Sequence, residues 1–161
     1  MSNMVYLLCS LPSLTFGQAP PLSFEEFYSD SKKQLSSKHF KMLEEADTQK
    51  IDPGAKGKLQ RIFGLNTRLQ NDLEEIRDAK TEKRHPNLAH LPKSVTGSNP
   101  LEREKQIMQW QWEQLEAIES GSTFAFINVL VYKLKLQILI RMDSFNREQG
   151  AKVLASVVNG A

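Results

Sequence analysis

Two stretches of helical period flank a run of helix breakers, and that arrangement restricts this chain more than any other feature in it. In residues 56–83 the apolar positions Leu59, Ile62, Phe63, Leu69, Leu73 and Ile76 recur at helical steps, with Arg, Asn, Asp and Glu between them. Such spacing predicts one long amphipathic helix. Its stripe of large residues is narrow, like a coiled-coil seam, and a second helix has to cover it.

That partner is legible downstream. Residues 85–99 read His-Pro-Asn-Leu-Ala-His-Leu-Pro-Lys-Ser-Val-Thr-Gly-Ser-Asn, rich in breakers and without a period, and so predict an exposed turn. Asn99-Pro100-Leu101-Glu102 then places a capping amide, a proline at the first helical position and an acid in the first turn. The restarted helix is expected to reach Glu119 and to stop at Gly121. A helical hairpin over 56–119, with its loop at 85–99, follows from these signals.

The flanks add shorter elements. Val5-Tyr6-Leu7-Leu8-Cys9 is an apolar run checked by Pro12 and by Pro20-Pro21, and residues 1–22 are expected to form a short extended arm, with Cys9 buried as a small hydrophobe. Ser23-Phe24-Glu25-Glu26 has the form of a capping box opening a helix to Gln34. Ser37 can cap a second turn carrying Phe40, Leu43 and Ala46 on one face, and Asp52-Pro53-Gly54 ends that unit.

Residues 124–142 are the most apolar in the chain and read two ways. Tyr132 to Ile138 alternates as a half-buried strand would. Ile127, Leu130, Val131, Leu134, Ile138 and Met142 also share a helical face, with Lys133, Gln137 and Arg141 opposite. Length favours helix, and the two lysines and glutamine at its centre argue against a membrane span. A last helix is expected to start at Asn146, leaving Gly160 in a loose terminus. The expected architecture is all-α: a single domain over 1–161 in which the hairpin packs with C-terminal helices at 122–158.

Chemistry-bearing patterns are sparse. His39, His85 and His90 include no pair three or four residues apart on a predicted helix, so no metal is expected. One cysteine excludes an internal disulfide and suits a reducing compartment. No nucleophile elbow, phosphate loop or dinucleotide turn occurs, so neither a cofactor nor catalysis is expected. Residues 4–16 are apolar, yet no Lys or Arg precedes them and Pro12 interrupts them, unlike a secretion signal. The 21 basic and 19 acidic residues give a charge of +2, too balanced for phosphate-driven binding, and the basic run at 80–84 is broken by Glu82. Trp110 and Trp112 stand about 200° apart on one helix. Trp112 aligns with Met108 and Leu115 and is expected to face the seam. Trp110 is expected outward, as the candidate partner-binding residue.

Three segments carry a family resemblance. Tyr6-Leu-Leu-Cys-Ser-Leu-Pro-Ser-Leu14, Leu22-Ser-Phe-Glu-Glu-Phe27 and the late stretch from Phe126 to Gly150 resemble an uncharacterised bacterial family encoded in V-type ATPase operons. That family repeats the patterns Tyr-Leu-x-x-Ser-Leu-Pro-x-Leu, Ser-Phe-x-x-Phe and Tyr-x-Leu-Lys-Leu-x-x-Leu-x-Arg. The late helix is also distantly similar to the closing helix of the V/A-type ATPase C (d) subunit. The resemblance implies a cytoplasmic, non-enzymatic accessory, assembly or stalk-associated protein of a V/A-type proton-pumping ATPase, partnered by ATPase subunits and peripheral to the inner membrane through them. A second copy of the chain is a further candidate partner. The residues by themselves also fit a generic helical-hairpin adaptor or chaperone-like protein gripping an unrelated client.

Overall fold

The computed structural model describes residues 3–48, 50, 54, 56–97 and 99–159, and every regular element among them is helical. Six α-helices follow in order: α1 (Met4–Ser10), α2 (Phe24–Gln34), α3 (Ser37–Glu45), α4 (Lys58–Glu82), α5 (Pro100–Glu119) and α6 (Phe126–Asn159), with a 3-10 turn at Lys93–Gly97 before α5.

The helix starts follow side-chain chemistry. Ser23 Oγ accepts the Glu26 N–H at 3.2 Å and Asn99 Oδ1 accepts the Glu102 N–H at 2.8 Å, each satisfying a donor that the helix itself leaves orphaned. The second cap sits one residue earlier than expected, where Ser36 Oγ accepts the His39 N–H at 3.2 Å. At its other end α4 stops on Lys83 in the left-handed region, φ 55°, and Arg84 N–H reaches back to the Ala79 carbonyl at 3.0 Å. The expected stop at Asp52-Pro53 falls outside the described residues, as does Gly160.

α6 is the axis of the molecule. It packs against α1, α2, α3 and α5, and its first half is buried on nearly all sides, with Val129, Leu130, Val131, Leu136 and Leu139 fully covered. A helix buried on nearly every side belongs in the interior, and residues 132–138 are helical, not strand. The expectation of a polar face through Lys133 is corrected: Lys133 is 4% exposed.

The broad face of α5 lies against α6, more extensively than against α4. Lys135 meets Glu119 at 2.6 Å and Arg141 meets Glu104 at 3.1 Å, so α5 and α6 run antiparallel. α4 and α5 are antiparallel too, since Arg61 and Gly64 share one groove with Ala117 while Arg77 shares another with Arg103.

Three further expectations are corrected. The arm begins with a helix, α1, rather than extended, because Asn3 caps it through the Tyr6 N–H at 3.2 Å; residues 11–22 carry no regular element. Leu7 of that helix and Leu11 at its end turn inward, which leaves Cys9 on the other side and exposed, not buried. No new helix starts at Asn146: α6 runs unbroken through it, since no proline interrupts 126–159 and Arg147 pairs with Asp143 across the expected join at 3.0 Å.

Candidate functional site

The late segment Tyr132-Lys-Leu-Lys-Leu-Gln-Ile-Leu-Ile-Arg141 sits mid-way along α6, and each of its polar side chains holds a different neighbour. Tyr132 O–H donates to the Pro12 carbonyl at 2.6 Å. The closing pattern and the opening pattern of the resemblance therefore touch, across 120 residues of chain. Burial pushes the Tyr132 hydroxyl up to about 12, so it keeps its proton and stays a donor at neutral pH. Phe27, from the third segment, stacks on the Tyr132 ring at 5.5 Å.

One residue on, Lys133 Nζ donates to the carbonyls of Leu43 at 2.8 Å, Glu44 at 3.2 Å and Ala46. These are carbonyls that the end of α3 leaves without helical partners, and the ammonium's three donors match them in number. Desolvation lowers its pKa to about 8 against the opposing pull of Asp47 and Glu44. Lys135 is held between Glu119 at 2.6 Å and the face of Trp112, 4.9 Å from the ring centroid.

Gln137 and Arg141 look the other way, into a cleft of about 540 Å³ between α2, α5 and α6. Asp47, Thr48, Gln111 and Ser144 contribute its polar wall, and Phe24, Met108, Ile138 and Phe145 its apolar one. The polar wall is occupied by the chain itself. Gln137 accepts the Thr48 N–H at 3.3 Å and donates to Asp47 at 3.2 Å, while Gln111 donates to the Thr48 carbonyl at 3.4 Å. From α4, Asn66 Nδ2 reaches the carbonyls of Asp47 and Lys50, both at 2.7 Å. These buried polar groups clamp the segment after α3, which has no helical partners of its own.

A second clamp holds the loop. Asp72, 2% exposed, accepts the N–H groups of Ala89 at 3.1 Å, His90 at 2.8 Å and Leu91 at 2.6 Å. Folded back this way, the loop covers α5. Trp110 is 7% exposed and borders a groove shared with Pro92 and Ser94 of the loop. Its expected outward position is therefore corrected: a connection folded over the face it was expected to leave bare buries it. Trp112 is inward as expected, 5% exposed, but against Phe16 of the arm at 5.5 Å and Lys135 of α6.

His85 and His90 are exposed, and His39 stacks on Phe126 at 4.4 Å. Among the described residues no three of His, Cys, Asp and Glu stand together as metal ligands, and no helix is long and apolar enough to cross a membrane.

Beyond Phe145 the character of α6 changes. Residues 146–159 continue the helix, yet every side chain described there is exposed, and Leu154 and Val157 stand 65% exposed each. Leu154 and Val157 are the most exposed of the large hydrophobic side chains described.

The family described as "Protein of unknown function (DUF2764)" matches residues 68–160, more than half of the chain. The chain belongs to that family. The region it shares with the family takes in the second half of α4, the clamped loop, α5 and α6 including the free half-helix. No curated protein and no solved structure matches the chain. Sequence reading had missed Asn66, Asp72 and Lys133 as organising residues. Each interrupts an apolar stripe at a core position, Asn66 four after Ile62, Asp72 three after Leu69 and Lys133 three after Leu130, and that interruption was the available signal.

Proposed function

We propose that the chain is a non-enzymatic accessory, assembly or stalk-associated protein of a bacterial V/A-type proton-pumping ATPase, acting in the cytoplasm or at the inner-membrane periphery by docking on ATPase subunits. The observation that carries it is the free half of α6. An isolated helix of this length is marginal in water, and solvent-facing Leu154 and Val157 add nothing to folding, so the segment suits a helix completed by a protein partner. The resemblance to the operon-encoded family supplies the identity of that partner. Its late pattern lies on the same helix, and the contact of Tyr132 with Pro12 fits a shared scaffold for both terminal patterns. The polar groups of the interior support a non-enzymatic role, being spent on backbone: Asp72, Asn66 and Lys133 together hold eight main-chain groups.

The test is affinity co-purification of the full chain from cells that carry V/A-type ATPase genes. ATPase subunits are expected in the recovered complex, and their yield should drop when Leu154 is replaced by Asp. Recovery of a different client, with no ATPase subunit, would favour the generic adaptor.

A further inference from the structure

The apolar stripe of α4 outruns the core it was built to cover. Leu59, Ile62 and Leu69 are 8%, 0% and 5% exposed, whereas Leu73 and Ile76, next along the same side, are only partly covered. These two floor a groove of about 270 Å³, completed by Gln70 and Arg77 of α4 and Arg103 of α5. Two arginines line it and no acidic residue does. Neither arginine forms an ion pair among the described residues; Arg103 spends its Nε on the Val95 carbonyl at 3.2 Å.

We infer that this groove docks an acidic amphipathic segment of a partner protein, whose apolar side chains cover Leu73 and Ile76 while its carboxylates pair with Arg77 and Arg103. The planar fork of arginine favours carboxylate in paired hydrogen bonds. An apolar floor with a basic rim suits a segment that carries both kinds of side chain on one face. A single-stranded nucleic acid fits less well, because no aromatic ring lines the groove to stack on a base. The groove lies on α4 and α5, apart from the free half of α6, and the inference holds whatever the partner of that half is.

The full chain would be titrated with a fluorescein-labelled helical peptide bearing leucines at i, i+3 and i+7 and glutamates between them. The same peptide with lysines, and an oligouridine RNA, serve as counterparts. Binding of the glutamate peptide is expected, with shifts of the Leu73 and Ile76 methyl resonances. Affinity should fall at least about tenfold in Arg77→Glu, whose side chain is exposed, and further in Arg77→Glu/Arg103→Glu, while Leu154→Asp binds as the parent does. Equal binding of the lysine peptide, displacement by RNA, unchanged affinity in Arg77→Glu, or no binding at all would each overturn the inference. Circular dichroism separates lost affinity from lost fold.

Discussion

Lys133 sets the terms at the scale of single residues. A lysine is seldom buried without a partner, and here the partners are three main-chain carbonyls at the end of α3. Replacement by Met leaves those acceptors dry and is expected to cost about 1–3 kcal/mol, read as a lower urea midpoint at neutral pH. The lowered pKa of about 8 gives a second readout. In the unfolded chain lysine titrates near about 10.4, so above pH 8 the unfolded state binds more protons than the folded one and stability gains from rising pH. The gain is lost as pH falls through 8. Between pH 8 and 9.5 the parent protein should therefore show an upward component of stability that Lys133→Met lacks; parallel profiles for the two would refute a buried, titrating ammonium. The tryptophans make a matching pair. Both are buried, so Trp110→Ala and Trp112→Ala should each lose about 3–5 kcal/mol in thermal or chemical melts, and a near-neutral Trp110→Ala would restore it as an exposed residue.

At the scale of elements, α4 and α6 teach opposite lessons about the same periodicity. The bounds of α2, the cap of α5 and the existence of α4 were legible because local chemistry decides them: Ser23, Asn99 and Pro100 act within one turn of their own position. The role of α6 as axis was not, because the face opposite its apolar stripe carries Lys133 and Gln137, polar residues that suggest water and in fact bind backbone from a segment some 90 residues away. Cys9 and Trp110 were misplaced for a related reason. Periodicity tells which residues share a face, and only the path of the arm and of the 85–99 loop tells what lies over it. The two helices also predict different penalties for one kind of change. Leu69→Asp forces a charge into the α4 stripe and should cost several kcal/mol, whereas Leu154→Asp, on the free half of α6, should stay within about 0.5 kcal/mol. Equal loss in both melts would mean that residues 146–159 pack on the core in solution.

For the whole molecule, α6 divides into a half that organises the fold and a half that the fold does not need. Four helices pack around 126–142, and the chain then continues as bare helix through Val157, past the last side chain that the core covers. Membership of the family and the resemblance of the late pattern bear on the same helix, and the proposed ATPase partner would be met by its outer end. Amide hydrogen exchange on the full chain, alone and mixed with purified V/A-type ATPase, tests this most directly. Free in solution, residues 146–159 should exchange far faster than 126–142, since opening a helix that buries nothing costs little. Addition of the ATPase should slow exchange across 146–159 and leave 126–142 as it was. Unchanged exchange in 146–159 with the ATPase in excess would contradict docking of the ATPase on this half of α6.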